Sequence, residues 1–282
     1  MMTIIRLTYL EMIKKKILLF TCVMTFVFFT LYGLALYFIY REMGQTEQLM
    51  KLMISGQILS LGIYASGFII AFLAIFISAG SVSTMVDQGI YDVILAAPIK
   101  RTHVILGRYL GLQFVLIIYS TLLYLGIIAL NTVIGHGHFV QLSGLAIIKS
   151  LLVIYLMPVA ISTVGFFLST SISTIGSGIV ITILYFCGMV GGFLEQIGYM
   201  LQTDASPILI RMGIITSLII PTDVTYRKSF SYLFTTSSGI DLSAAGMMGK
   251  VGKPSDFMMV YIVIYILVFL GLTIRAFNRK DI

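Results

Sequence analysis

Residues 52–86, LMISGQILSLGIYASGFIIAFLAIFISAGSVSTMV, run on without one Asp, Glu, Lys or Arg. An α-helix rises about 1.5 Å per residue, so roughly 20 apolar residues in a row cross a bilayer. Lipid offers the peptide groups no hydrogen-bond partner, and a helix supplies its own. The stretch is therefore a membrane span. Outward from it, the same uncharged character returns at 17–40, 109–148, 150–194 and 257–274.

The composition agrees: 59% of residues are hydrophobic and only 10% charged, with a mean hydropathy of +1.06, well above the apolar share of about 45–50% in soluble domains. The runs predict six helices, at 17–39, 57–80, 109–132, 146–169, 175–195 and 257–277. The run from Ser150 is too long for one span and divides at SISTIGSG, where Ser171, Ser173, Gly176 and Gly178 favour a turn over helix interior. Pro158 should bend the fourth helix. Lys14, Lys15 and Lys16 precede an apolar run too long for a signal-peptide core, so the first helix reads as an uncleaved anchor. Cys22 and Cys187 fall inside predicted spans and are expected to be small packing residues rather than a disulfide or metal pair.

Charge gives the orientation. With both termini on one side, that side holds Arg6, Lys14, Lys15, Lys16, Lys100, Arg101, Arg108, Arg275, Arg279 and Lys280 against Glu11, Asp87, Asp92 and Asp281. The opposite side holds the other eight basic and seven acidic residues. Basic residues concentrate in cytoplasmic loops, so both termini and the 81–108 segment should be cytoplasmic. The net charge of +7 reflects that topology and contact with anionic lipid headgroups, not nucleic-acid binding.

Residues 3–16, TIIRLTYLEMIKKK, space Ile4, Leu7, Tyr9, Leu10 and Ile13 among charges. They fit an amphipathic helix on the cytoplasmic membrane surface, or equally a charged flank of the first span. On the outer side, 41–56 and 133–145 are short loops, the second holding His136 and His138. The largest region outside the spans is 196–256. Within it, PILIRMGIITSLIIP from Pro207 to Pro221 is apolar but too short to span, so a re-entrant or interfacial helix is expected there. PTDVTYRK follows as a polar turn. Gly62 with Ser66, Gly107 with Gly111 and Gly188 with Gly192 have the spacing that lets helices approach closely. The fold class is thus an all-α integral membrane protein: one transmembrane domain over 1–282, six transmembrane helices, an N-terminal amphipathic helix, and re-entrant or interfacial helices between helices 5 and 6.

Several chemistries lack their residues. There is no H-E-x-x-H, no G-x-S-x-G, no paired acidic motif on a span and no G-x-x-x-x-G-K-[ST] phosphate loop, so neither an intramembrane hydrolase nor an ATP-binding site of that type is built here. The spans hold almost no ionisable side chains to form an ion path; Glu195 and Arg275 sit at helix ends. Energy, if used, comes from a partner.

The charged stretch between the second and third spans, DQGIYDVILAAPIKRTHVILGRYLG (87–111), resembles the cytoplasmic signature of type-2 ABC exporter permeases. The matching positions are Asp87, Gly89, Asp92, Pro98, Arg101, Gly107 and Arg108, with Ile90 and Tyr91 departing from the family's Thr-Leu. The ending AFNRKDI resembles the family's Phe-x-Arg-x-Asp. Pro221, Asp223 and Arg227 are similar to a Pro-x-Asp-x-x-x-Arg stretch before the last helix of many members, permeases of nitrous-oxide reductase maturation transporters among them. The resemblance implies that 87–108 is an ATPase-coupling segment and that Pro221, Asp223 and Arg227 belong to an outer gate. It implies that no cofactor or metal is bound by this chain, ATP and Mg being held by two separate ATP-binding cassette subunits, and that a second permease copy or a paralogue completes the complex in a prokaryotic cytoplasmic membrane. An exporter of amphipathic, peptide or lipid-like cargo is the function so implied. The alternative is an ABC-type membrane complex serving cofactor or metalloprotein maturation, or immunity.

Overall fold

A computed structural model of the chain describes residues 2–14, 16–42, 48–91, 100–135, 142–201, 206–234 and 254–279. Among these the protein is all helix: α1 (Met2–Lys14), α2 (Lys16–Glu42), α3 (Gln48–Ala79), α4 (Ser83–Asp87), α5 (Arg101–Ile134), α6 (Gly144–Ser171), α7 (Thr174–Leu201), α8 (Ser206–Ile219), α9 (Thr222–Phe234) and α10 (Asp256–Asn278). The described residues hold six helices long and apolar enough to cross a membrane: α2, α3, α5, α6, α7 and α10. All six predicted spans are there, each matched by a helix longer than the range the sequence predicts.

The break between α6 and α7 is narrower than the sequence suggests. Only Ile172, with an extended backbone (φ −125°, ψ 158°), and Ser173 leave the helix. The Ser173 hydroxyl accepts the Gly176 N–H at 3.4 Å and caps α7. Gly176 and Gly178 lie inside the first turns of α7, not in a turn. Pro158 withholds one ladder hydrogen bond, yet α6 continues as one helix through it.

α3, α5 and α6 form the centre. One apolar cluster (Met12, Ile75, Leu112, Phe166, Ile181) fills the end of the bundle nearest the termini, and a second (Leu36, Leu59, Ile127, Tyr226, Phe234) fills the opposite end. Polar side chains stitch α5 to α6 and α2 where lipid supplies no hydrophobic drive: Gln113 donates to Ser162 at 2.8 Å, Tyr124 donates to Ser150 at 2.6 Å, and Asn131 donates to Tyr32 at 2.8 Å. α2 and α10 face outward along most of their length, with Phe20, Phe26, Leu31, Ile264 and Leu267 exposed. Cys22 and Cys187 are free and also exposed. They lie on the outer surface rather than in the interior.

The region after α7 is the main departure from a chain of simple spans. α8 runs back along α7, and the chain bends by 101° into α9. Ser206 bonds to Gly198 O at the start of α8, Thr216 lies against Gly191, and Ile220 lies against Gly188. The bend is thus about halfway down α7. α9 then returns outward, with Tyr226 bonded to Ser60 O and Phe234 against Gly56 of α3. Both ends of the hairpin point away from the chain termini, the geometry of a re-entrant element. TDVTYRK is not a polar turn as expected: it opens α9, where every residue but Tyr232 is buried.

Candidate functional site

Two constellations stand at opposite ends of the bundle. At the end nearest the termini, Arg108 of α5 is buried, 3% exposed. Its Nη1 and Nη2 reach Glu11 of α1 at 3.0 and 3.3 Å, and its Nε donates to Ser81 O in the turn after α3. α1 lies close enough for this because position 111 is glycine: a Cβ there would sit 2.9 Å from Thr8 Cβ and 3.0 Å from Ile5 O. The N-terminal segment is therefore a helix docked on α5 with Thr8 and Met12 buried, while Met2, Leu7 and Leu10 stay exposed along its other side.

From its other side the same turn is held by α6 and α7. α4 has no side-chain cap of its own. Ser169 of α6, fully buried, provides one: its Oγ accepts the backbone N–H groups of Val82 and Ser83, each at 3.0 Å. Free N–H groups at a helix start must find such acceptors. Thr174 at the start of α7 lies 2.7 Å from Ser83 Oγ and 3.1 Å from Thr84 Oγ1, and Ser177 donates to Ala79 O at 2.7 Å. Beyond α4, Gly89 adopts φ 66°, a left-handed conformation that suits glycine. Tyr91 packs its ring on Phe277 of α10 at 5.1 Å. Burial pushes the Tyr91 phenol up to about 12, against the opposing pull of Arg108.

Of the residues the sequence singles out here, Asp87 is exposed at the end of α4, Arg101 opens α5 half-buried, and Gly107 is buried on α5. Arg108 turns inward to Glu11. Asp92 and Pro98 lie outside the described residues, as do His136 and His138. Sequence alone assigns no role to Glu11 or Ser169, and Tyr91 figures there only as a departure from the family pattern. Glu11 carried a signal in hindsight, being the only acid in a basic flank; a serine within an uncharged run carries none.

At the opposite end, Arg227 of α9 joins two acids. Its Nη1 and Nη2 donate to the Oε1 and Oε2 of Glu195 at 2.9 and 2.7 Å, and its Nε lies 2.8 Å from Asp223 Oδ2. All three side chains are less than a tenth exposed. Asp223 and Arg227 meet because they stand four apart on α9; Glu195 arrives from α7. Glycine permits the approach: a Cβ at Gly192 would strike the Asp223 carboxyl group, one at Gly191 would strike Thr216, and one at Gly188 would lie 2.9 Å from Ile220 O. Pro221 is buried in the bend. The carbonyls that end α8, Leu218 O and Ile219 O, accept from Tyr261 and Tyr265 of α10 at 2.6 and 2.8 Å. The sequence named Pro221, Asp223 and Arg227 and treated Glu195 as a helix-end charge; the fold unites them.

Beside this triad is a cavity of about 30 Å³ lined by Tyr64, Met157, Tyr185, Met189, Asp223 and Tyr226, among others. That is room for a water or two, not for a cargo molecule. Among the described residues no group of three His, Cys, Asp or Glu is disposed to hold a metal ion.

A sequence model of the family described as "ABC-2 family transporter protein" matches residues 2–282, from the first residue of α1 to the end of the chain. A comparison with curated proteins returns no match.

Proposed function

The chain belongs to the ABC-2 family of transporter proteins, and on that premise we propose that it is the permease of an ATP-driven exporter of the prokaryotic cytoplasmic membrane, with both termini in the cytoplasm. A multi-pass membrane subunit of an ABC transporter works with an ABC ATPase subunit, and ATP and Mg are held there. Two such subunits act on a pair of permeases, either two copies of this chain or this chain and a paralogue. The observation that carries the reading is the turn at 80–91. It ends in exposed Asp87 and left-handed Gly89, and it is gripped by Arg108 and Glu11 on one side and by Ser169 and Thr174 on the other. A soluble ATPase pressing on that exposed end moves four helices together. The coupling assignment takes in Arg101, half-buried at the start of α5, and, from the sequence alone, Asp92 and Pro98.

The outer gate is the α8–α9 hairpin with Pro221, Asp223 and Arg227. The cavity beside the triad is too small for a cargo, and the cargo route is placed between two permeases, or by lateral entry from the bilayer, for an amphipathic, peptide or lipid-like cargo.

The test is co-expression with a candidate ABC ATPase subunit from the same cell, purification, and reconstitution in vesicles. The complex is expected to hydrolyse ATP and move cargo in a vanadate-sensitive manner. The D87A/D92A/R101A triple variant is expected to lose the ATPase; unchanged association removes the coupling assignment. Hydrolysis without cargo movement favours the maturation or immunity reading instead.

A further inference from the structure

The Glu195–Arg227 fork is complete in itself, one anion and one cation joined by two charge-assisted hydrogen bonds. Asp223 is left over. Its Oδ2 is 2.8 Å from Arg227 Nε, but the N–H is not aimed at it, and neither atom completes a hydrogen bond. The Asp223 side chain is only 5% exposed and borders the small cavity. Among the described residues, the groups facing it from each packed element are few. α7 brings Glu195, Tyr185 and the bare backbone of Gly192; α3 brings Tyr64; α6 brings Met157; α9 itself brings Arg227, Thr222 and Tyr226. The next cation, Lys228, is engaged by Asp256 at 2.7 Å and by Pro254 O at 2.9 Å. With both acids ionised, the cluster would hold an uncompensated negative charge inside an apolar bundle, where unpaired charge is strongly disfavoured.

We propose that Asp223 is a proton-binding site, occupied when the hairpin is seated and exchanging with water through the adjoining cavity. A proton suits the site better than a metal ion. Hard cations take six or more oxygens, whereas this lining combines one carboxyl group and a few hydroxyls with Met157 and Met189. Protonation makes the triad neutral and turns a lone acceptor into a group that can donate to a cavity water or hydroxyl. Loss of the proton restores the negative charge, which hydrates the cavity and competes with Glu195 for Arg227. The seated hairpin binds a proton that a solvated aspartate lacks, so its hold weakens as pH rises. The proposal goes beyond the transport reading and needs neither cargo nor ATPase to be tested.

The experiment is infrared difference spectroscopy of the full chain in lipid nanodiscs, acidic against alkaline, with thermal unfolding alongside. A carboxylic-acid C=O band is expected in the acidic state, absent from D223N. Since D223N mimics the neutral acid in shape, its midpoint should match the wild type at low pH and lose the decline with rising pH. Should D223N not fold, carbon-13 labelling of aspartate carboxyl groups in the wild type must shift the same band. Absence of the band, or its persistence in a folded D223N, overturns the site. So does a midpoint that follows sodium concentration at fixed pH without the band, which would mean a bound alkali cation.

Discussion

Arg227 presents both terminal nitrogens to the two carboxylate oxygens of Glu195, at 2.9 and 2.7 Å, and thereby fastens the α8–α9 hairpin to α7. Both side chains are less than a tenth exposed. Removing one partner of a buried pair costs about 3–5 kcal/mol, while replacing both with apolar residues is often neutral. E195L alone is expected to lower the unfolding free energy in detergent by less than that, about 2 kcal/mol, because Asp223 then stands ionised 2.8 Å from Arg227 Nε, and E195L/R227M to recover most of it. Additive losses in the double variant would show that the two side chains do not act as a pair.

The glycines of α7 make a second, steric prediction. A Cβ at Gly191 meets Thr216, whereas one at Gly271 of α10 meets nothing within 4 Å. G271A should be neutral or stabilise by up to about 1 kcal/mol, since alanine favours helix. G191A should destabilise by about 1–3 kcal/mol through overpacking, with partial recovery in G191A/T216A. Equal midpoints for G191A and G271A would contradict the close contact of α7 with α8.

The spans were readable in the sequence because uncharged runs at membrane length have one physical solution. The halt at Ile172 was readable too, though placed too far into α7. The re-entrant segment could be inferred only from its shortage of residues, and the direction of its return could not. Arg108 looked like a residue offered to a partner because its sequence neighbours are charged; Glu11, which claims it, is 97 positions away. Likewise TDVTYRK reads as polar surface, and its burial depends on Glu195, Pro254 and Asp256 arriving from α7 and the start of α10. Local pattern fixes which segments cross the membrane, while the meeting of buried charges is decided by the packing of distant helices.

Ser169 offers a test of the clasp between α6 and α4. S169A leaves the N–H groups of Val82 and Ser83 without their acceptor inside a buried turn. An unsatisfied buried donor costs about 1–3 kcal/mol. Amide exchange at Val82 and Ser83 should quicken about tenfold or more, each 1.4 kcal/mol being a factor of ten. With the ATPase bound, S169A should retain ATP hydrolysis while moving less cargo per ATP. Unchanged amide exchange would remove Ser169 as the cap.

Glu11 is the partner on the other side. E11Q removes the negative charge opposite the buried Arg108 guanidinium and leaves it one amide oxygen and Ser81 O as acceptors. The Glu11 side chain is 32% exposed, so solvent screens the pair, and the expected loss is about 1–2 kcal/mol. Limited proteolysis should then cut within α1 sooner than in the wild type. Cleavage at the wild-type rate would mean that α1 holds to α5 without the ion pair.

Tyr91 gives a prediction of opposite sign. Its hydroxyl is buried with no hydrogen-bond partner, and burial pushes the phenol up to about 12, so it stays neutral through the physiological range. Y91F keeps the ring against Phe277 and removes the orphan hydroxyl. It should be neutral or stabilise by about 1 kcal/mol, with no change between pH 6 and pH 9 within about 0.3 kcal/mol. A clear loss of stability would reveal a water held by that hydroxyl.

α7 joins the two constellations as one unbroken helix, with Thr174 bonded to Ser83 at one end and Glu195 forked to Arg227 near the other. The two residues are about 32 Å apart along its axis. Such a helix is a lever with its pivot beside the turn at 80–84. A tilt of about 5° about that pivot sweeps Glu195 sideways by about 3 Å, more than a hydrogen bond tolerates. The hairpin must therefore travel with α7 or part from it, and a small rotation at one face of the membrane becomes a discrete choice at the other.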